Sequence, residues 1–210
     1  MRPVADTRTK LLEAALGTLK EHGIAGVSAR TIAAAAGVNQ ALVFYHFGSV
    51  GQLLAAACEH GSRQRIALYR ARFAAVTTLR ELLDLGRALH AEERAEGSVA
   101  ALAQVLAGGQ TDPELAPATT IGLNLWIEEV EQALGRVLAK SPLAEFVDVT
   151  GLAKATAAAF VGLELYEGVD PDGANQAFDA LESLAGLVTA LEDMGPVVRR
   201  AARAKLRRHS

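Results

Sequence analysis

Hydrophobic residues recur at helical spacing along most of the 210-residue chain. Over residues 7–22 the apolar positions follow the i, i+3, i+4 rule of an amphipathic helix, and Gly23 is a residue that can end it. Ser28 is then a good N-cap for a helix of two turns, which Gly37 stops. Half of the residues are apolar, and much of that fraction is alanine, the best helix former. The pattern therefore predicts an all-α protein.

The remainder of the chain continues in the same way and shows no internal repeat. Asp112 and Pro113 have the character of an N-cap and a first helical residue, and a basic segment after Pro196 is expected to form a short helix. The other helices are predicted over residues 51–76, 79–96, 98–106, 112–140, 147–167 and 174–193.

The segment GVNQALVFYHFGSVGQLL, residues 37–54, concentrates aromatic side chains and contains no Lys, Arg, Asp or Glu. Two interpretations compete for it: a buried strand, because Val, Phe and Tyr favour sheets, or a short helix with an exposed aromatic and polar edge. No neighbouring segment has the pattern of a partner strand, and a lone strand cannot satisfy its backbone. With Asn39 as an N-cap, a helix over residues 40–46 completes a helix-turn-helix pattern.

Charge is distributed unevenly along the chain. Residues 1–50 contain five basic and three acidic side chains, whereas residues 51–195 contain ten basic and twenty-one acidic ones. Residues 196–210 contain six basic side chains and no acidic one. This asymmetry suggests that one end faces a polyanion. The basic tail is interpreted first as a solvated surface; pairing with the acidic body and nonspecific attraction to DNA are the alternatives.

Several classes of protein are disfavoured by what the sequence lacks. The single Cys58 cannot form an internal disulfide and has no CxxC partner. No signal peptide and no apolar run of about 18 residues is present, so a cytoplasmic protein without membrane contact is expected. No GxGxxG, P-loop, GxSxG, HExxH or paired Glu-x-x-His motif occurs. We therefore expect no enzyme, no cofactor and no metal site.

The first 54 residues resemble the DNA-binding domain of the TetR family of transcriptional regulators. The resemblance is carried by Arg8, the helix LLEAALGTLKEHG, the phrase VSARTIAAAAGV, and YHF followed by a turn and QLL. It implies three N-terminal helices followed by a larger all-α domain for ligand binding and dimerisation. The predicted domains are residues 1–50, for DNA binding, and residues 51–210.

The resemblance also implies which residues contact DNA. Ser28 would cap the second helix and offer its hydroxyl or amide to a phosphate, and Arg30 would reach a phosphate or a base edge. Elementary chemistry agrees for Gln40, whose amide can donate and accept at adenine, and for Leu42, which can pack on a thymine methyl. The full set of positions is Ser28, Arg30, Asn39, Gln40, Ala41, Leu42, Tyr45 and His46.

Three positions depart from the usual pattern of the family. Ala41 stands where glycine is common, and Phe44 replaces the usual tyrosine, so Phe44 is expected in the core with Val43 and Phe47. Val50 stands where a phosphate-binding lysine is common. Because residues 31–58 contain no formal charge, we expect few charged phosphate contacts and a shallow dependence of DNA affinity on salt.

The C-terminal helices are expected to supply a dimer interface and an effector pocket. Two helices carry a small-residue face and an apolar stripe, which a four-helix bundle from two subunits would bury. The interface residues are Ala155, Ala158, Ala159, Gly162, Leu181, Leu184, Val188 and Leu191. The resemblance implies effector binding, and large or polar groups that interrupt Ala and Leu faces are the candidates. They are Tyr69, Phe73, His90, Asn124, Trp126, Phe160 and Glu164.

Taken together, these features favour a dimeric, ligand-responsive repressor that binds a palindromic double-stranded DNA operator and is released by a small-molecule effector. The alternative is a helical dimer that binds a small molecule but does not recognise an operator. Val50 and the uncharged segment motivate that alternative.

Overall fold

A computed structural model of the chain describes residues 4–110, 115–139, 141, 144 and 146–193, without the side chains of residues 4–6, 117–119 and 191–193. The described residues form helices and no strand, so the all-α prediction is confirmed and the strand interpretation of the aromatic segment is wrong. In chain order the elements are α1 (Val4–His22), a 3-10 turn (Ile24–Gly26), α2 (Ala29–Ala36), α3 (Ala41–Phe47), α4 (Val50–Ala75), α5 (Leu79–Glu96), α6 (Ser98–Gly108), α7 (Ala116–Leu138), α8 (Val149–Glu167) and α9 (Pro171–Asp193).

The predicted helix boundaries at the N-terminus have a visible chemical basis. Gly23 and Gly37 both have a positive φ, 66° and 65°, which side-chain-bearing residues rarely adopt. Ser28 and Thr31 form a capping box: the Thr31 amide donates to Ser28 Oγ (3.1 Å) and the Ser28 amide donates to Thr31 Oγ1 (2.9 Å). The predicted cap at Asp112 and the basic tail after Pro196 lie outside the described residues.

The chain divides into two compact units, and the first comprises residues 1–68 and 93–126. Its core is formed by fully buried aliphatic side chains from α1, α2, α3, α4 and α6. Leu11, Leu19, Ile32, Val43, Leu53 and Val105 have no exposed surface. Because these residues come from the helix-turn-helix segment as well as from α4 and α6, the short helices α2 and α3 are held by tertiary packing.

The second unit comprises residues 69–92 and the described residues from 127 to 193. Within it α8 packs against α9, with Ala153, Ala157, Ala174 and Ala185 among the buried residues. The small side chains allow close approach of the two helices. The predicted domain boundary between residues 50 and 51 stays a prediction.

The length and composition of each helix in the described part of the chain can be compared with what a membrane span requires. No single helix there has both the length and the apolar composition needed to cross a bilayer. Together, α3 and α4 have that length and composition, but the pair is bent by 67° at its break.

Candidate nucleic-acid interface and ligand sites

The segment between α2 and α3 has the backbone of a tight interhelical turn. Gly37 adopts the left-handed conformation (φ 65°, ψ 36°) and its amide bonds back to carbonyls of α2. Asn39 Oδ1 accepts a hydrogen bond from the Ala41 amide (2.8 Å), so Asn39 caps the next helix as its sequence position predicts. The helix itself begins at Ala41, one residue later than predicted.

One side of α3 is open to solvent. Val43 and Phe47 are buried and His46 is half-buried, whereas Ala41, Phe44 and Tyr45 are exposed. The open side, called the α3 face from here on, consists of Gln40, Ala41, Phe44 and Tyr45.

Phe44 corrects an expectation from sequence. It was predicted to be core, but its side chain is 49% exposed, and Tyr45 beside it is 77% exposed. Phe44 directly follows the buried Val43, so its side chain is rotated by about 100° from it, and it shares its side of the helix with the exposed Ala41. The α3 face therefore presents two aromatic rings rather than one.

Two other predicted DNA-contact residues are less exposed than the α3 face. Leu42 is half-buried and packs against the core of the first unit. His46 is half-buried between aromatic neighbours, with its ring centroid 5.0 Å from that of Tyr45 and 6.3 Å from that of Phe47. Both edge-on contacts restrict the imidazole.

The charged groups around the α3 face are few. Arg30 on α2 is exposed, and the guanidinium of Arg8 lies over the ring of Phe47, 5.0 Å from its centroid. Val50, at the position where a lysine is common, is half-buried and packs on the core. At the start of α4, Ser49 Oγ accepts from the Gln52 amide (3.1 Å). The surroundings of the α3 face are thus polar with little formal charge.

The first unit also contains a cavity of about 220 Å³ between α1, α4, α5, α6 and α7. Its walls include Lys20, whose ammonium donates to Ser98 Oγ (2.9 Å), and Arg65, whose Nε donates to the buried Glu93 carboxylate (2.6 Å). Trp126, one of the predicted effector residues, lines this cavity, whereas Asn124 is exposed. The cavity combines apolar walls with charges of both signs.

Cys58 contributes to the same cavity wall. Its side chain is buried, and this burial raises the pKa of the thiol to about 12. The thiol is therefore protonated at neutral pH, as expected of a small core residue.

The second unit brings three of the predicted effector residues together. His90 Nδ1 lies 3.2 Å from Glu164 Oε2, and the imidazole centroid lies 5.7 Å from that of Phe160. Two further residues, Glu167 and Phe178, contact the same imidazole. Sequence reasoning missed Glu167, although its i, i+3 spacing from Glu164 was a usable signal.

Tyr69 and Phe73, the other predicted effector residues of the second unit, are each 4% exposed. The guanidinium of Arg72 lies over the Tyr69 ring at 5.5 Å, and Arg136 donates to the Phe73 carbonyl (2.6 Å). These contacts account for both residues as packing elements of the second unit, and their role in effector binding stays a prediction.

The predicted dimer residues lie mostly on an exposed surface. Ala155, Ala158, Ala159 and Gly162 of α8 are exposed, Val188 is half-buried, and the side chain of Leu191 lies outside the described residues. On α9, Leu181, Leu184 and Leu187 are 38%, 58% and 63% exposed. Sequence reasoning missed Leu187. These exposed residues of the two helices are called the α8–α9 face from here on.

Comparisons with known proteins agree with this description. The family model described as bacterial regulatory proteins, tetR family, matches residues 11–57. Solved structures with similar folds include a Rhodococcus sp. protein assigned to the TetR family (TM-score 0.70, 23% identity, 88% of this chain and 99% of that one) and GusR of Salmonella enterica (TM-score 0.67, 22% identity, 90% and 98%). At these identities the likeness shows the fold alone. A search of curated proteins finds no significant match.

Proposed function

We propose that the chain is a transcriptional regulator that binds a palindromic operator as a homodimer, because residues 11–57 match the family model of bacterial regulatory proteins of the tetR family. We also propose that the protein is a cytoplasmic repressor, and that binding of a small molecule releases it from the operator. The observation that carries it is the α3 face: two large aromatic rings and an amide exposed on a short helix that follows a helix-turn-helix turn.

The exposed groups of the α3 face can contact both the bases and the phosphates of DNA. Gln40 can donate and accept at an adenine edge, and the methyl of Ala41 can pack on a thymine methyl. The Tyr45 hydroxyl can donate to a phosphate, which positions the protein without reading sequence. Arg30 and the amino end of α2 add phosphate contacts. Leu42 and His46 are half-buried, so the proposal gives them smaller parts.

A dimer is supported by the α8–α9 face. Monomeric soluble proteins rarely leave a continuous row of leucines exposed, because apolar area in water costs about 25 cal/mol per Å². Leu181, Leu184 and Leu187 recur every three residues on α9 and are exposed, and α8 exposes a set of small residues. Pairing this surface with a second copy would form a four-helix bundle. A dimer is also what a palindromic operator with half-sites about 34 Å apart requires.

The cavity of the first unit is the proposed effector site. Its volume, about 220 Å³, is below the usual range of about 300–1,000 Å³ for drug-sized ligands, so the effector would be small. Lys20, Arg65 and Glu93 on its walls favour a polar molecule with hydrogen-bonding groups. Because α1 and α4 line the cavity and also pack the helix-turn-helix core, occupancy can shift the conformation of that core.

Selection from a random double-stranded DNA library tests the operator. Purified protein should enrich a palindromic sequence, and Gln40→Ala should weaken binding and relax selection at the base that it contacts. The matched control is Gln110→Ala, which changes an exposed glutamine of the same unit that belongs neither to the α3 face nor to the cavity wall. Failure to enrich any sequence, with a small molecule still bound, would favour the second candidate, a ligand-binding dimer without an operator.

Effector screening by thermal unfolding tests the release mechanism separately. A compound that raises the melting temperature should also weaken operator binding. If it raises the melting temperature of the protein and leaves DNA affinity unchanged, the two sites are not coupled and the release mechanism is wrong.

A further inference from the structure

We propose that His90, Glu164 and Glu167 form a binding site for one divalent transition-metal ion. The three side chains are called the HEE cluster from here on. One candidate ligand atom from each residue can be chosen so that all three lie within 4.8 Å of one another. The set contains one imidazole nitrogen and two carboxylate oxygens, a combination that suits Zn²⁺, Fe²⁺ and Mn²⁺.

The fold positions the HEE cluster from two directions. Glu164 and Glu167 are three residues apart on α8, so their side chains share one side of that helix, and His90 approaches from α5. His90 is 6% and Glu164 is 8% exposed, and the side chain of Glu167 is 17% exposed. Buried carboxylates are costly to hold as ions, and they are found paired, hydrogen-bonded or bound to a metal.

The distance between His90 and Glu164 fits two ligands of one metal ion better than the contact between His90 and Glu167 does. Two ligands bound to a tetrahedral Zn²⁺ at about 2.1 Å are about 3.4 Å apart. The separation between His90 Nδ1 and Glu164 Oε2, 3.2 Å, is close to that value. Glu167 contacts the opposite ring nitrogen, so it must rotate to join the same ion. Its partial exposure leaves room for that rotation.

Aromatic rings cover the imidazole of the HEE cluster. The centroid of His90 lies 5.7 Å from that of Phe160 and 4.9 Å from that of Phe178, both edge to face. Such a shell limits access of water and strengthens charge interactions inside it. A divalent ion would also balance the charges of two ionised carboxylates.

Arg87 lies near the HEE cluster but pairs with other carboxylates. It lies one turn before His90 on α5 and forms ion pairs with Asp179 and Glu182 of α9, each at 2.9 Å. Its guanidinium stacks over the Phe178 ring at 5.3 Å. This group offers a matched control, because Glu182→Gln removes a carboxylate from the same unit without touching the HEE cluster.

Calorimetric titration of the chelator-treated full chain with Zn²⁺ tests the proposal. We expect saturable binding of one Zn²⁺ per chain, unchanged in Glu182→Gln and weakened by about tenfold or more in Glu164→Gln, Glu167→Gln and His90→Asn. Mn²⁺ should bind more weakly than Zn²⁺, and Mg²⁺ should not compete at equal concentration, because imidazole is a poor ligand for it. Thermal unfolding should show a Zn²⁺-dependent rise in melting temperature in the wild type and in Glu182→Gln.

Two results would overturn the proposal. One is the absence of saturable Zn²⁺ binding to the wild-type chain, which does not depend on whether any variant folds. The other is Zn²⁺ binding to folded Glu164→Gln and His90→Asn with wild-type affinity, which would place the ion elsewhere. If those variants unfold, visible absorption of Co²⁺ bound to the wild type decides: four-coordinate bands support the cluster, and the weak spectrum of six-coordinate Co²⁺ contradicts it.

Discussion

The α3 face and the α8–α9 face both expose large apolar side chains, but they differ in what accompanies those side chains. On the α3 face the rings of Phe44 and Tyr45 stand beside an amide and a phenolic hydroxyl. On the α8–α9 face the large exposed apolar side chains of α9 are all leucines, at Leu181, Leu184 and Leu187. If only the exposure of apolar side chains were considered, both surfaces would be expected to bind the same kind of partner.

The difference teaches that polar groups identify the partner and apolar area supplies only part of the affinity. In the proposed function the partner of the α3 face is DNA, whose donors and acceptors must be matched, and Gln40 and Tyr45 would supply the matching groups. The proposed partner of the α8–α9 face is a second copy of the same surface, against which close packing of leucines and small residues would be enough. Each prediction below changes one of these surfaces, or its support, and leaves the other intact.

The largest effect is expected from charging the α8–α9 face. Leu184→Glu combined with Leu187→Glu would place like charges in the proposed interface, so the protein should sediment as a monomer. Loss of the second DNA-binding domain should weaken operator binding by about 100-fold or more, since bivalent contact typically contributes 10² to 10⁴. Sedimentation velocity and fluorescence anisotropy measure the two quantities.

Leu68→Glu is the matched control for this pair. Leu68 is 65% exposed on α4, in the other unit, so the same change in chemistry there should leave the dimer intact. A double variant of α9 that still sediments as a dimer would show that the α8–α9 face is not the interface.

A smaller effect is expected on the α3 face. Tyr45→Ala should weaken operator binding by about tenfold or more, because a hydrogen bond to a charged group contributes about 1.5–3 kcal/mol and about 1.4 kcal/mol corresponds to tenfold. The side chain is 77% exposed, so the free energy of unfolding should hardly change. Tyr45→Phe separates the hydroxyl from the ring. If it weakens operator binding as much as Tyr45→Ala does, the hydroxyl makes the contact; if it binds like the wild type, the ring does. Wild-type affinity in both variants would remove Tyr45 from the interface.

Much of the fold was predictable because local chemistry decided it. Gly23 and Gly37 end helices through positive φ, and Ser28 begins one through a capping box, so these boundaries followed from residue type. The predicted range 79–96 also coincides with α5. Amphipathic spacing and capping act within a few residues, and a sequence displays them directly.

Phe44 and Glu167 show where such reasoning stops. Phe44 was assigned to the core because it replaces the usual tyrosine and lacks the hydroxyl donor, but on α3 it lies on the exposed side together with Ala41. Glu167 belongs with His90 only through packing of α8 against α5, a contact across 77 residues of chain. Which side of a short helix is buried, and which residues meet across a long stretch of chain, are both decided by tertiary packing.

Val50→Lys should strengthen DNA binding by a few-fold and change its salt dependence. The family usually places a lysine at this position, and each additional phosphate contact steepens the slope of log affinity against log salt by about 0.9, or about 1.8 per dimer. Binding titrations between about 50 and 200 mM salt measure the slope. Val50→Met is the control, because it lengthens the side chain at the core edge without adding charge. An unchanged slope in Val50→Lys would show that position 50 does not face a phosphate.

The smallest effect on affinity, but a measurable one on stability, is expected from Ser28→Ala. The change removes the acceptor for the Thr31 amide and half of the capping box, so the free energy of unfolding should fall by about 1 kcal/mol. The α3 face keeps its side chains, and operator binding should weaken only by the loss of any phosphate contact of the hydroxyl. Chemical denaturation measures the first quantity and anisotropy the second.

Thr31→Ala provides the reciprocal variant for the same cap. Thr31 Oγ1 accepts from the Ser28 amide and donates to the Gly26 carbonyl at 3.1 Å, so its loss should cost at least as much stability as the loss of the serine hydroxyl. Because neither residue lies on the α8–α9 face, the dimer should persist in both variants. If Ser28→Ala lost operator binding at full stability, Ser28 would act on DNA directly rather than through the start of α2.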